Sequence, residues 1–266
     1  MDGARTTPGG VWLHESGTGP LVVLIHGAMD RSGGMLRTRR LLQRDFRVIR
    51  YDRRGYGRSK DAVPSPDFSV QVADLVDVLD GRPAVIGGHS FGGVIGLALA
   101  SRSPSLVRAV LAYEAPLMWE PWWPGVASSV PDESPEYAAE WFLRRMIGDD
   151  MWERLPRSVR ADRRAEGRAL IADLQSVRPP APAPYVPERI TVPVIAAYGS
   201  RGRPHHRRAA EELARRVPHA SLVAVPGANH GIHLAMPEAF AGLVRRAASA
   251  ATAADLRSGA DSPDGG

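Results

Sequence analysis

Short apolar runs along the 266-residue chain alternate with longer stretches of helical period. Runs rich in β-branched residues predict buried strands, and apolar residues that recur every three or four positions predict helices that cover a sheet. A stretch near the start of the chain, 11–15, predicts a further strand that pairs in an antiparallel sense. The runs that predict the main strands are 21–25, 47–51, 84–86, 107–113, 193–198 and 222–225.

Helical stretches fill most of the gaps between these strands. The alternation is typical of an α/β fold, in which a mostly parallel sheet is flanked by helices. The predicted helices are 34–43, 69–79, 91–101, 207–216 and 237–250.

This alternation stops between the strand that ends at Tyr113 and the strand that starts near Pro193. Residues 117–187 instead contain most of the tryptophans, together with helical patterns at 135–147 and 159–176 and a Pro-rich exit that favours extended chain. We therefore predict that a helical lid is inserted into the α/β core at this point.

The predicted core is formed by the chain on both sides of this lid. The last residues are mostly Ala, Ser, Asp and Gly, with little apolar surface to bury, and they predict a disordered tail. The predicted division is a core of 1–116 and 188–250, a lid of 117–187 and a tail of 251–266.

The composition excludes several classes of protein. The chain has no cysteine, which excludes disulfides, thiolate catalysis and cysteine-based metal sites. Its net charge of +5 comes from arginines scattered among acidic residues, a pattern of solvated surface rather than of nucleic-acid binding. No apolar run is long enough to span a membrane and no signal peptide is recognisable, so we expect a soluble, cytoplasmic protein.

One short motif carries the first sign of chemistry. The sequence Gly88-His89-Ser90-Phe91-Gly92 follows a predicted strand and opens a predicted helix. A serine in a G-x-S-x-G turn between strand and helix is exposed at the edge of a sheet, above the free N–H groups of the helix start. We predict that Ser90 is a nucleophile.

Two further motifs stand where a serine hydrolase needs them. His26-Gly27-Ala28-Met29 follows the strand 21–25, and His230 lies in a Gly-rich loop just after the last predicted strand. Together with Ser90 these motifs resemble the α/β-hydrolase fold family, over about residues 11–250. Tyr51-Asp52-Arg53-Arg54-Gly55-Tyr56-Gly57-Arg58-Ser59 also resembles a loop of that family, to which we assign a structural role.

The resemblance implies a role for each motif. Ser90 is the expected nucleophile, His230 the expected base, and the backbone N–H groups of Ala28 and Phe91 the expected oxyanion hole. His233 is the rival base, and a packing or hydrogen-bonding role suits it better. His26 and His89 are interpreted as structural, and His205, His206 and His219 as surface residues. The predicted substrate pocket is lined by Met29, Trp119, Trp122 and Trp123.

The third member of the triad departs from the family pattern. Gly202 stands where the family usually has an aspartate, after the strand 193–198. The best replacement is Glu114, because it ends the preceding strand and keeps the chain order Ser90, acid, His230. The alternative is that Glu114 only bonds to lid or backbone groups.

These residues predict a serine hydrolase that cleaves a carboxylic ester of a small or medium apolar substrate through an acyl-enzyme. A thioesterase or a C–C bond hydrolase would use the same residues. From a different class, a ligand-binding protein that kept the fold without activity is the alternative suggested by Gly202.

The sequence shows no motif for a cofactor or a metal ion, and we expect neither. A basic cluster could dock a phosphate-bearing arm such as that of coenzyme A, although a solvated helix start is the simpler interpretation. The expected partner is a small-molecule substrate, without nucleic acid or membrane, and the oligomeric state stays open. The cluster comprises Arg201, Arg203, Arg207 and Arg208, with His205 and His206 beside them.

Overall fold

The computed structural model describes residues 3–124, 134–179 and 181–260, and its centre is an eight-stranded sheet. The strand order is β1-β2-β4-β3-β5-β6-β7-β8. The strands from β3 to β8 are parallel, while β2 pairs in an antiparallel sense with both β1 and β4. The α/β fold class predicted from the alternating pattern is confirmed. The strands are β1 Gly3–Thr6, β2 Trp12–Ser16, β3 Leu21–Ile25, β4 Arg47–Tyr51, β5 Ala84–His89, β6 Val107–Tyr113, β7 Val194–Gly199 and β8 Ala220–Val225.

Helices cover both faces of the sheet because its central strands are apolar on both sides. Residues of α2, α3 and α8 pack on one face, and residues of α1, α9 and α10 pack on the other. Helices α4 to α7 form an insertion between β6 and β7. The helices are α1 Leu36–Leu42, α2 Phe68–Leu79, α3 Phe91–Arg102, α4 Pro135–Ile147, α5 Asp149–Arg154, α6 Arg157–Arg164, α7 Gly167–Val177, α8 Pro204–Arg216, α9 Ile232–Ala235 and α10 Pro237–Ala260.

Strand β5 extends beyond its predicted end at residue 86. Gly87 and Gly88 continue the ladder between β3 and β6 up to His89. A side chain on Gly88 would lie 2.5 Å from the Cα of Gly93 in α3, so only glycine allows the helix to pack this close to the strand.

The predicted helix 159–176 is two helices. It breaks between α6 and α7, where the backbone of Gly167 packs against the start of α4. A Cβ at Gly167 would stand 1.7 Å from the carbonyl oxygen of Pro135. The close crossing of α4 and α7 needs this glycine, and a periodicity analysis does not see such a contact. The short helix α5 and the strand β1 were not predicted.

The predicted disordered tail is wrong for residues 251–260. Helix α10 runs 24 residues to Ala260 because its alanines are strong helix formers and Ala247 and Ala251 are buried against the sheet. Asp255 also pairs with Arg108, which lies in β6. Residues 261–266 lie outside the described part of the chain. None of the described helices has both the length and the apolar character that a membrane span requires.

The crossing at Gly167 gives a stability test. We expect Gly167→Ala to lower the free energy of unfolding by about 2 kcal/mol or more, because the new methyl group collides with backbone rather than with a flexible side chain. Urea unfolding followed by circular dichroism measures the loss.

The matched control is Gly242→Ala in α10, where nothing lies within 4 Å of an added Cβ. This change should leave the free energy of unfolding the same or raise it by up to about 1 kcal/mol, since alanine is the better helix former. Equal stability of the two variants would contradict the close contact between α4 and α7.

Candidate active site

Ser90 occupies a strained turn between β5 and α3. Its backbone has φ 53° and ψ −123°, a conformation that costs free energy for a residue with a side chain. The N–H of Ser90 donates to the carbonyl of Tyr113 at 2.8 Å, and a Cβ at Gly92 would lie 2.3 Å from the carbonyl oxygen of Ile25. The turn is therefore held between the ends of β3 and β6, and the side chain of Ser90 stays partly exposed.

Backbone strain is concentrated around this serine. Among the described residues, four that are not glycine have positive φ, and three of them follow neighbouring parallel strands: Met29, Ser90 and Glu114. The fourth, Asp80, ends helix α2 in a left-handed conformation. Strain of this kind persists only where the surrounding structure imposes it, and it is common at functional sites.

His230 and Glu114 form a short hydrogen bond across the edge of the sheet. The Nδ1 of His230 lies 2.7 Å from Oε2 of Glu114, and Oε1 of Glu114 accepts a hydrogen bond from the N–H of Gly199 at 3.0 Å. The glutamate is fully buried, while the imidazole is 24% exposed. Because an ionised carboxylate can only accept, Nδ1 of His230 is the donor in this bond, and Nε2 is the ring nitrogen left to act as a base.

The glycine at position 202 is explained by this carboxylate. A Cβ at Gly202 would stand 2.3 Å from Oε1 of Glu114. The space where the family usually places an aspartate is therefore filled by the glutamate that reaches over from the end of β6.

The loop that carries His230 is held by two buried side chains. The hydroxyl of Tyr113 donates to the carbonyl of Asn229 at 2.8 Å, and Nε2 of His89 lies 2.7 Å from the carbonyl of His230. Burial, reinforced by the neighbouring charges of His233 and His230, holds the pKa of His89 well below its ordinary value. A neutral His89 whose Nε2 donates to this carbonyl agrees with the structural role predicted for it.

His206 was predicted to be a surface residue, and this is wrong. It is 7% exposed, and its ring stacks on the ring of His230 with centroids 4.6 Å apart and an interplanar angle of 18°. Its Nε2 lies 4.0 Å from Oε2 of Glu114. Burial first, and then the charge of His230, holds the pKa of His206 well below its ordinary value, so it is a neutral ring beside the pair of His230 and Glu114.

The sequence contains a pattern that indicates the burial of His206. His206 shares one face of α8 with the buried residues Ala209, Ala210 and Leu213, at spacings of three, four and seven. A helix that starts at Pro204 includes it, whereas the predicted helix began at residue 207. His205 is partly buried and His219 is exposed.

His233 forms a second pair behind the first. Its Nε2 lies 2.9 Å from Oδ2 of Asp30, and its ring lies 4.2 Å from that of His89. Burial opposes ionisation of Asp30, but the hydrogen bond and charge of His233 outweigh it and lower the pKa of Asp30 to about 2. His233 is thus a hydrogen-bonding residue, as predicted, although it is buried rather than at the mouth of the site.

The two predicted oxyanion donors lie on either side of the serine turn. Phe91 begins helix α3 and is buried, and Ala28 follows Gly27 and is partly exposed. A Cβ at Gly27 would lie 3.0 Å from the Cβ of Ser90, so this loop lies against Ser90 itself.

The four predicted pocket residues lie in three different surroundings. Trp123 makes an edge contact with His206, beside His230, with ring centroids 5.6 Å apart. Trp119 packs edge-on against Tyr185, and Trp122 lies under the guanidinium of Arg208 at 4.2 Å. Met29 is buried in an apolar cluster with residues of the helical insertion, among them Leu143, Trp152, Leu170 and Leu174.

Among the described residues, two groups of side chains bring possible metal ligands within 4.8 Å of one another. They are Glu114, His206 and His230, and Asp30, His89 and His233. In each group a carboxylate already pairs with a histidine, so an ion would have to displace that contact. A cavity of about 480 Å³ lies at the opposite end of the strands and is lined by Pro83, Val107 and Arg108 among others.

Comparison with known proteins identifies the family to which this fold belongs. The family model described as "Alpha/beta hydrolase family" matches residues 22–243. The chain therefore belongs to the alpha/beta hydrolase family.

The curated relatives match only part of the chain. The chain is 29% identical over 123 residues to the uncharacterized hydrolase YraK of Bacillus subtilis, which covers 44% of this chain and 45% of the relative. It is 36% identical over 117 residues to the bifunctional epoxide hydrolase 2 of Sus scrofa, which covers 41% and 21%. The matches thus span less than half the length of these curated relatives.

Solved structures match over nearly the whole chain. An enol-lactonase from Burkholderia xenovorans is 24% identical with a TM-score of 0.74 and covers 93% of this chain and 100% of its own. An esterase from Thermogutta terrifontis is 23% identical with a TM-score of 0.72 and covers 94% and 99%. At these identities the likeness establishes the fold.

The Asp30 and His233 pair predicts a dependence of stability on pH. The lowered pKa means that ionised Asp30 stabilises the fold above about pH 4, and that this contribution is lost as the pH falls towards 2. We expect Asp30→Asn to lower the free energy of unfolding by about 2 kcal/mol at pH 6 and by almost nothing at pH 2.

Urea unfolding between pH 6 and pH 2 measures this difference. The exposed Asp61, replaced by Asn, is the control and should leave the pH profile unchanged. Profiles of Asp30→Asn and the native chain that stay parallel would contradict the stabilising pair.

Proposed function

We propose that the chain is a serine hydrolase that cleaves a carboxylic ester of a small or medium apolar substrate through an acyl-enzyme. The observation that carries the proposal is the 2.7 Å contact between His230 and the buried carboxylate of Glu114. A base without an acid partner loses control of its tautomer and the stabilisation of its protonated form. This contact supports a working triad over a ligand-binding protein that has lost its activity.

In the proposed reaction the hydroxyl of Ser90 attacks the ester carbonyl and its proton passes to Nε2 of His230. The carbonyl electrons move to oxygen, which accepts hydrogen bonds from the N–H groups of Ala28 and Phe91. The intermediate collapses when His230 returns the proton to the leaving alcohol. A water molecule then repeats the sequence on the acyl-enzyme, with His230 as base, and releases the acid.

The nucleophile separates this reaction from others that the fold supports. Relatives that open epoxides by covalent attack use a carboxylate at the position of Ser90, so the likeness to an epoxide hydrolase does not carry that reaction to this chain. Neighbours described as an esterase and an enol-lactonase support an ester bond, open-chain or cyclic. Trp123 and Met29 support an apolar substrate group, with the helical insertion acting as a lid over it.

A mechanism-based label tests the nucleophile and the base. We expect a fluorophosphonate to add once to the native chain and to leave Ser90→Ala unlabelled, because only an activated serine attacks phosphorus at a useful rate. His230→Ala should slow labelling by about a thousandfold or more. Intact-mass spectrometry counts the adducts, and thermal unfolding shows that the variants are folded.

The absence of any adduct on the folded native chain would reject the proposal. An adduct that persists in Ser90→Ala would assign the reaction to another residue.

The acid can be tested by moving it. Glu114→Gln should lower kcat for a p-nitrophenyl ester by about a hundredfold or more while KM changes little, because the protonated base is no longer stabilised. Gly202→Asp alone should also lower kcat, since the new side chain collides with the glutamate.

The double variant Glu114→Gly with Gly202→Asp removes that collision and supplies a carboxylate at the family's usual position. We expect its kcat to exceed that of Glu114→Gly alone by about tenfold or more. A kcat in Glu114→Gln close to that of the native chain would remove Glu114 from the triad.

A further inference from the structure

Arg53 is a fully buried charge between the helical insertion and the serine hydrolase motifs. On one side its guanidinium makes a two-pronged pair with Asp173 in helix α7, with Nη1 to Oδ1 at 2.9 Å and Nη2 to Oδ2 at 2.7 Å. Asp173 is 1% exposed and also accepts hydrogen bonds from the hydroxyl of Tyr56 and the side-chain amide of Gln71. The pair is thus held by more than its own attraction.

On the other side Arg53 binds the loop that follows β3. Its Nε donates to the carbonyl of His26 and its Nη2 donates to the carbonyl of Gly27, both at 3.2 Å. The backbone N–H of Arg53 donates to Nε2 of His26 at 3.0 Å. Burial and the charge of Arg53 lower the pKa of His26 to about 4, so its neutral ring donates from Nδ1 to the same Gly27 carbonyl at 2.8 Å.

These contacts determine where the next N–H points. In a trans peptide the carbonyl of one residue and the N–H of the following residue point in opposite directions. Because the carbonyl of Gly27 is bound by Arg53, the N–H of Ala28 points away from the arginine. The guanidinium also lies over the ring of Phe91 at 4.7 Å, beside the second oxyanion donor.

The carboxylate of Asp173 keeps the buried guanidinium of Arg53 protonated. Burial alone would lower its pKa, but the facing carboxylate of Asp173 raises the pKa of Arg53 overall. A buried guanidinium that loses its carboxylate must find other partners or shift, because an unpaired buried charge is strongly disfavoured.

We propose that Arg53 and Asp173 are positioning residues for the oxyanion hole, through which helix α7 of the insertion holds the Gly27–Ala28 peptide in its catalytic orientation. The inference rests on the proposed function. Neither residue touches the reacting atoms, and both act through the direction of one backbone N–H. The insertion is then part of the catalytic framework as well as a cover for the substrate.

A neighbouring ion pair separates this role from simple structural support. Arg54 binds Asp74 of α2 with two contacts of 2.6 Å, and its side chain is 12% exposed. It is a paired guanidinium from the same loop, but it donates its remaining hydrogen bond to the carbonyl of Val63 rather than to the Gly27–Ala28 loop. Asp74→Asn is therefore the matched control for Asp173→Asn.

The experiment measures kcat and KM for a p-nitrophenyl ester and the affinity for a trifluoromethyl ketone, which forms a tetrahedral adduct with a reactive serine. We expect Asp173→Asn to lower kcat by about tenfold or more and to weaken the ketone by a similar factor, with KM changed by less than about threefold. Asp74→Asn should lower the Tm but leave kcat and ketone affinity within about twofold.

Arg53→Lys covers the case in which Asp173→Asn does not fold. Lysine keeps a positive charge for Asp173 but lacks the fork that reaches a carboxylate and two carbonyls together. A loss of ketone affinity in folded Arg53→Lys supports the proposal.

Unchanged kcat and ketone affinity in a folded Asp173→Asn or Arg53→Lys would overturn the proposal, and so would equal losses in Asp173→Asn and Asp74→Asn. Failure of the proposed function looks different, because the native chain itself would then show no turnover that depends on Ser90, and the inference would fall with it.

Discussion

The contact between Glu114 and His230 is the constraint around which the site is organised, and its position depends on the end of β6. Tyr113, the last residue of that strand, accepts a hydrogen bond from the N–H of Ser90 and donates one to the carbonyl of Asn229, beside the histidine. Glu114 then turns into a left-handed conformation and reaches across to the end of β7. One strand end thus sets the relative positions of the proposed nucleophile, acid and base.

Much of the fold was predictable because it depends on local patterns. Ser90 and His230 were identified from short motifs at strand ends, and the alternation of strands and helices predicted the sheet. Glu114 was selected by its place after a strand, but its distance from His230 required the register of β5, β6 and β7. His206 was assigned to the surface because the start of α8 was placed three residues too late.

Contacts between distant parts of the chain could not be predicted in this way. The pairing of Arg53 with Asp173 joins residues 120 positions apart, and although Arg53 lies in a loop motif, nothing in the sequence indicates its partner. The break between α6 and α7 depends on the crossing of α4 at Gly167. The continuation of α10 to Ala260 depends on burial of its alanines against the sheet. A segment composed of few residue types gives no sequence pattern that indicates this burial.

The ring centroids of His89 and His206 each lie 4.6 Å from that of His230, which is also hydrogen-bonded to Glu114. This packing, together with the bond to Glu114, restricts rotation of the imidazole. In the proposed reaction the leaving alcohol and the incoming water therefore take up the same position in succession, next to Nε2. Because the alcohol leaves as the acyl-enzyme forms, it must move away from Nε2 before that nitrogen can accept a proton from water.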